Sequence, residues 1–381
     1  MPIKNLVIDS PEEKVIRAEL ENRQDTDGLR LRRFLAMPDL SRTPGSPLHD
    51  LVERILAIPD FQHFNVIRVP EITPIDISFD LFNFPPDHPA RKSSDTYFVT
   101  SDQILRTHTT VMWYYYLTQP EIKERVVRGE ALGVLSFGKV YRKDEIDRQH
   151  MNVFHQMDGL YICRKEAQAL GTDDLKNILI KIARAIYGPG IEYRFNQDTF
   201  PFTDPSLEME INLGGDWVEV LGSGMVQPIV LDKLGVDSKI YHGWAFGFGL
   251  ERLAILSMTL PDIRLLWSND ERVKKQLKLG NPYREVSKYP PITRDISFIV
   301  GKDFVPNNYF DLIRDIGGNL VEEVKLLDNY QDLEKFGPDR ISYTYRIIYR
   351  SNERTLEARE IDPLQQKIYS ETARQFQAEL R

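Results

Sequence analysis

The sequence predicts an α+β protein in two parts, an antiparallel β-sheet with flanking helices followed by a smaller ferredoxin-like domain. Three observations lead there. Between Asn65 and about Leu260, short β-rich runs are separated by Pro and Gly as in hairpins, with helical stretches outside them. Residues 279–291, LGNPYREVSKYPP, read as a linker, with Gly280-Asn281-Pro282 and Pro290-Pro291 as breakers. Beyond it the chain reads strand 292–300, helix 306–317, strands near 321–331 and 341–350, helix 362–376 and a short end strand, a β-α-β-β-α-β order. The expected division is thus an extension over 1–45, a first domain over 46–278, the linker, and a second domain over 292–381. At roughly 100–200 residues per domain, 381 residues also favour two or three domains.

Each element has a local reason. Ser10-Pro11-Glu12-Glu13 opens a helix with a Ser cap, Pro at the first helical position and Glu three residues on. Leu29–Ala36 interleaves Arg30, Arg32 and Arg33 with apolar side chains, as a partly solvated amphipathic helix or, less simply, a nucleic-acid contact. Pro44-Gly45 breaks the chain. Leu48, Leu51, Val52, Ile55 and Leu56 recur at helical spacing, predicting a helix over 47–57; further helices are expected near 102–117 and 173–187. Neither common nucleotide-binding glycine motif is present, and there is no internal repeat.

Apolar residues at 41% and charged residues at 28% exclude collagen-like, disordered and disulfide-scaffold chains. No run approaches the roughly 20 apolar residues of a membrane helix. The single cysteine, Cys163, cannot form an internal bridge, which suits a reducing compartment. The start, MPIKNLVIDSPEEK, lacks both a secretory apolar core and an Arg-rich transit face. The expected location is the cytoplasm, with an organelle matrix after loss of a presequence as the alternative. Net charge is −8, from 49 basic and 57 acidic residues, and decides nothing about nucleic acid because phosphate contact depends on local patches.

Chemistry concentrates in Gly138–Ile162, where two alternating runs flank a charged loop. On the second strand Phe154, Gln156 and Asp158 share one face, about 7 Å apart, and Arg142 on the first strand can point at it. Such a polar row is costly to bury without partners, so it holds either a ligand or a structural hydrogen-bond network. In Gly243–Arg252 a glycine-bearing strand runs into a helix near Leu250. Arg252 in its first turn opposes the helix dipole and needs an anion or stacking partner, for which Glu251 is one candidate. Phe200 and Phe202 in a Pro-stiffened extended segment share a face, as core or as a clamp for a flat apolar group. Glu219, between two valines expected to face the core, is a candidate cation ligand. Leu105-Arg106-Thr107-His108-Thr109 is polar where a helix is expected to begin, as caps or as pocket lining.

These stretches resemble a known family. FDLFNFPPDHPARKSSDTYF, LRTHT, the YRKDEID…VFHQMDG hairpin, FPFTDPS, WVEVLGSGM and GWAFGFGLERLA resemble, in order, the catalytic core of phenylalanyl-tRNA synthetase, a class II aminoacyl-tRNA synthetase. KYPPITRDISFIV, RTLEARE and the end FQAELR are similar to the family's ferredoxin-like anticodon-binding domain, and two such domains in one chain resemble its single-chain organellar form.

The resemblance implies ATP-dependent activation of L-phenylalanine and transfer to the 2′-hydroxyl of the terminal adenosine of tRNA(Phe), with ATP and Mg²⁺ required and a monomer or weak oligomer expected. It implies that Phe154 and Arg252 sandwich adenine, that Arg142 meets the α-phosphate, and that Asp144 and His150 on the hairpin loop hold the rest of ATP. Arg142 and Arg252 would be the catalytic pair, and Glu219 a Mg²⁺ ligand. Phe200 and Phe202 would grip the phenylalanine ring and Ala245 would set pocket depth. His108, Thr109, Gln156 and Asp158 would face the amino and carboxylate groups. Arg346 and Arg350, at even spacing on an expected strand, would follow the tRNA backbone. Two residues depart from the family pattern: Asp158 stands where Glu is usual, and Thr109 replaces a common Ser. The shorter acid motivates one alternative, a paralogue activating another amino acid or loading another carrier. A non-catalytic tRNA-binding regulator is the other.

Overall fold

The computed structural model describes residues 5–286 and 289–381; residues 1–4 of the extension, and Ser287 and Lys288 of the linker, lie outside it. Two compact units emerge. The first comprises Met1–Arg142, Val153–Leu260 and Leu277–Pro282; the second comprises Lys143–Asn152, Pro261–Gln276 and Tyr283–Arg381.

The first unit opens with β1 (Asn5–Val7), α1 (Pro11–Asn22) and α2 (Thr26–Ala36). Ser10 caps α1 by accepting from the Glu13 N–H, as its sequence suggests. In α2, Arg30, Leu31 and Phe34 are buried. α3 (Pro47–Leu56) begins at a Ser46 cap and buries Leu48, Leu51, Val52 and Ile55, the residues whose spacing announces it. Then follow β2 (Asn65–Arg68), β3 (Ile72–Pro74), β4 (Gln103–Leu105), α4 (Met112–Leu117) and α5 (Pro120–Val127). The long hairpin is β5 (Leu132–Tyr141) and β6 (Val153–Arg164), followed by α6 (Thr172–Tyr187). β7 (Tyr193–Phe200), β8 (Thr203–Leu213), β9 (Asp216–Val226), α7 (Pro228–Lys233), β10 (Tyr241–Gly249) and α8 (Leu250–Met258) complete the unit.

Eight of these strands form one sheet in the order β1-β2-β5-β6-β10-β9-β8-β7. From β5 onward every neighbouring pair is antiparallel, whereas β1–β2 and β2–β5 are parallel. The sheet is therefore mixed at one edge. The chain between β2 and β5 is long enough, with two helices, to make the crossover that a parallel pair needs. The stretch expected as one helix near 102–117 differs as well. Ile104 and Leu105 instead pair with Thr73 and Ile72 in a two-stranded sheet, and the helix starts only at Met112.

The second unit contains α9 (Glu271–Lys274) and the ferredoxin-like order β11 (Ile292–Gly301), α10 (Pro306–Gly317), β12 (Val321–Tyr330), α11 (Leu333–Phe336), β13 (Arg340–Tyr349), α12 (Ala358–Phe376) and β14 (Glu379–Leu380). Its sheet runs β12-β13-β11-β14, all antiparallel. The last helix starts four residues before the expected Asp362, because Glu360 reaches back to the Glu357 N–H and caps it. Phe298, Tyr309, Tyr345, Ile347, Tyr349, Ile361 and Ile368 form this unit's core, which Ile146 of the hairpin loop joins. Among the described residues no helix is long and apolar enough to cross a membrane.

Candidate active site

The β5–β6 hairpin builds the site. Val140, Gly138 and Ser136 pair with Phe154, Gln156 and Asp158, and the two-residue period turns those three side chains to one face while Val153, His155 and Met157 are buried on the other. The Arg142 guanidinium lies 5.2 Å from the centre of the Phe154 ring, and its Nε–H donates to the Thr107 carbonyl at 3.0 Å. The Thr109 N–H donates to Gln156 Oε1 at 3.3 Å. Asp158 accepts from both threonine hydroxyls, Thr109 on one oxygen and Thr110, at 2.8 Å, on the other. Burial pushes its carboxyl up to about 6, against the lowering effect of the two hydroxyls and of Arg142. A Cβ at Gly247 would sit 2.8 Å from Asp158 Oδ1, so the neighbouring strand leaves room for the acid only by carrying no side chain there.

His108 sits at the wall of the same site and caps no helix by its side chain. Its Nε2–H donates to the Ser78 carbonyl at 3.0 Å, which leaves Nδ1 as a buried acceptor with no partner among the described residues. Burial, and then the nearby Arg142, lower its pKa to about 4, so the ring is neutral at ordinary pH.

Beside this polar floor stands an aromatic wall. Phe202 meets Phe82 and Trp113 edge-on at 5.7 and 5.8 Å, and Phe84 stacks on the His108 ring at 5.9 Å. Phe200 stacks on Phe202 at 6.1 Å. The two rings do not come from one extended segment, as the sequence suggests; Pro201 and Phe202 form the turn between β7 and β8, which brings the rings together by reversing the chain. Ala245 is buried in the same apolar cluster that Phe202 packs against. The Trp113 indole N–H is buried without a partner among the described residues. Thr110, Phe82, Phe84 and Trp113 escaped the sequence reading of individual residues. The aromatic spacing in FDLFNF was the one available signal.

Arg252 lies in the first turn of α8, half-exposed, and donates to the Glu219 carbonyl at 3.3 Å with the Glu219 carboxylate 3.8 Å away. Glu251 is not its partner. That carboxylate is buried against His155 instead. Nor does Glu219 face the core: it is exposed on β9 while Val220 is buried and Val218 half-buried, so the argument that a buried acid needs a cation does not apply to it. Among the described residues no three His, Cys, Asp or Glu side chains gather as a metal site. One exposed carboxylate fits Mg²⁺ only where phosphate oxygens and water fill most of the coordination shell.

Four candidates lie in the second unit. Asp144 accepts the Glu145 N–H, and its carbonyl accepts from Arg314. His150 Nδ1 is 2.7 Å from Asp147. Arg346 on β13 is bound at both ends of its fork by Asp295, at 2.7 Å each. Arg350 lies one residue beyond the strand's end and holds Glu322 at 2.7 Å. Both arginines are thus matched by carboxylates, which the spacing alone does not reveal.

The chain matches the family described as tRNA synthetases class II core domain (F) over residues 35–277, and the ferredoxin-fold anticodon binding domain over residues 287–381. It is 39% identical over 315 residues to "Phenylalanine--tRNA ligase, chloroplastic/mitochondrial" of Arabidopsis thaliana, covering 80% of this chain and 70% of the relative. To "Phenylalanine--tRNA ligase, mitochondrial" of Mus musculus it is 36% identical, covering 79% and 72%. To the protein of the same name from Saccharomyces cerevisiae it is 31% identical, covering 89% and 87%.

Proposed function

The chain belongs to the class II tRNA synthetases and, within them, to the phenylalanine–tRNA ligases, and we propose from that premise a division of labour among its residues. The reading rests on one observation above all: one segment serves both ends, His108 stacking on Phe84 of the aromatic wall while Thr109 and Thr110 bond the buried Asp158 carboxylate, so a ring and an ammonium can be held by the two ends of one small molecule's site. Phe200 and Phe202 take the phenylalanine ring, with Ala245 closing the pocket at depth. Asp158, Gln156, Thr109 and the Nδ1 of His108 take the polar end.

ATP lies along the hairpin, its adenine between Phe154 and Arg252 and its α-phosphate at Arg142. The amino-acid carboxylate attacks the α-phosphorus, pyrophosphate leaves, and the aminoacyl-adenylate forms. The 2′-hydroxyl of the tRNA's terminal adenosine then attacks the acyl carbon and AMP leaves. Little acid–base work is required; positioning and charge neutralisation lower the barrier, and Arg142 and Arg252 are the cations that supply the charge. Mg²⁺ would supply further charge neutralisation when bound with ATP, and Glu219 would be its one protein ligand, with phosphate oxygens and water filling the rest of the shell. The second domain serves the tRNA, with Arg346 and Arg350 as phosphate contacts. Relatives named as mitochondrial or chloroplastic favour an organelle matrix over the cytoplasm.

The test is amino-acid-dependent pyrophosphate exchange across the twenty amino acids and meta-tyrosine. Exchange with phenylalanine alone supports this reading. Exchange with another amino acid instead supports the paralogue reading, for which the shorter acid at Asp158 is the motive, and exchange with none supports a regulator. Arg252→Ala exchanging at the parental rate would remove the adenine assignment.

A further inference from the structure

β6 loses one of its two neighbours just where it carries Phe154. On one side it pairs with β5 as far as Val153. On the other, β10 stops at Gly249, which pairs with Gln156. The next N–H of β6, that of His155, has no strand to meet. It donates instead to the Glu251 carboxylate, at 3.0 and 2.8 Å to the two oxygens. The His155 ring adds a second bond to the same carboxylate, Nδ1 to Oε1 at 2.6 Å. Both side chains are buried. Glu251 therefore acts as one further rung of the sheet, supplied by a helix.

The ring is itself held from behind. The Leu40 N–H donates to His155 Nε2 at 2.9 Å. A backbone N–H can only donate, so toward Leu40 Nε2 is the acceptor and Nδ1 is the nitrogen that donates to Glu251; Asp39 Oδ1 lies 3.5 Å from Nε2 as well. The segment that ends in Leu40 is fixed to β5 as well, because Lys139 Nζ donates to the Leu35 and Met37 carbonyls at 2.8 Å each.

His155 follows Phe154 on the opposite face of β6, and Glu251 precedes Arg252 on the buried side of α8. We propose that the buried His155–Glu251 pair, backed by Leu40, is the positioning element that fixes the spacing of Phe154 and Arg252 and so sets ATP affinity without touching ATP. The inference rests on the adenine-clamp reading above. It does not extend to the amino-acid end, because Asp158 lies where β6 is paired on both sides, with Ser136 and Gly247.

The two nitrogens of the ring make the idea testable. Asn in place of His keeps a donor near the Nδ1 position, and Gln keeps an acceptor near Nε2. In pyrophosphate exchange, His155→Gln should raise the ATP KM about tenfold while the phenylalanine KM stays within about twofold. His155→Asn should keep the ATP KM within about threefold of the parent, although it loses the Leu40 bond. Equal effects of the two, or a phenylalanine KM rising in step with that for ATP, would overturn the proposal. If His155→Gln does not fold, Glu251→Gln decides it, since that amide keeps an acceptor for the ring and loses one for the backbone: an ATP KM unchanged there refutes the pair, and a selective rise supports it. Arg252→Ala is the parallel arm. A parental ATP KM in Arg252→Ala removes the clamp itself, whereas a raised KM there with a parental KM in His155→Gln removes the positioning role alone.

Discussion

Asp158 shows how far a single residue can be read from sequence. The period of two along β6 places Phe154, Gln156 and Asp158 on one face, and the structure has them there. The side chains that satisfy Asp158 were only half visible, because Thr109 and Thr110 come from a segment 48 or more residues away whose approach depends on tertiary packing. With its carboxyl raised to about 6, Asp158 is neutral below that pH and cannot attract an ammonium. The kcat/KM for phenylalanine should therefore fall about tenfold per unit as pH drops below 6, and Asp158→Asn should flatten the profile at a low value. The stability sign is the opposite: burial penalises the ionised form, so the contribution of Asp158 to stability is fullest below its unfolded value and is lost as pH rises through about 6. Asp158→Asn, which never ionises, should accordingly raise the thermal midpoint relative to the parent's at pH 8. Asp158→Glu meets a different limit. Two threonines and the Gly247 backbone already enclose the acid, so one more methylene should destabilise by about 1–3 kcal/mol and raise the phenylalanine KM; a gain in affinity would show spare room. At the other end of the pocket, Ala245→Gly should admit para-substituted phenylalanines in exchange assays, and unchanged selectivity there would sink the depth argument.

Elements were legible where one surface dictates them. α3 and the second unit's strands follow from regular apolar spacing, and each forms close to its expected bounds. The stretch near 102–117 misled because Ile104 and Leu105 are apolar at positions that suit either a helix or a strand, and only pairing with β3 selects the strand. The Phe200–Phe202 segment misled for a related reason: Pro201 stiffens an extended chain and a turn alike. The β7–β8 turn now depends on β9, because Gly222 is the residue over which the Phe200 ring lies. A Cβ there would come within 2.9 Å of the ring edge. Gly222→Ala should tilt the ring rather than unfold the sheet, lowering stability by about 1 kcal/mol and raising the phenylalanine KM more than the ATP KM. Equal KM changes for both substrates would place the strain elsewhere than in the aromatic wall.

At the scale of the whole chain the sequence separates the two domains at a Pro- and Gly-containing linker, and a simple expectation follows: a chain ending near Lys278 would keep amino-acid activation and lose only tRNA charging. The compact units divide differently. Residues 143–152, the loop between β5 and β6, group with the C-terminal residues. Ile146 is buried in that unit's core, and its carbonyl accepts the Val324 N–H at 3.0 Å. Arg314 donates to the Asp144 and Glu145 carbonyls, and Asn152 to Asp311 at 3.1 Å. No local pattern in the loop announces this, since a lone isoleucine among charges reads as an exposed tip. Ending the chain at Lys278 removes every one of those partners and leaves Ile146 without its apolar surroundings. The loop connects Arg142, one residue past β5, to Phe154 on β6, the proposed ATP contacts, so its loss of order should raise the ATP KM in exchange as well as abolish charging. Ile146→Ala in the full chain tests the same point more gently. It should cost about 2–4 kcal/mol in the unit whose core it joins. Charging by the full chain should also weaken as salt rises, through displaced counterions, while exchange changes less. A chain ending at Lys278 that exchanges pyrophosphate with the parental ATP KM would show that the loop orders itself without the C-terminal residues.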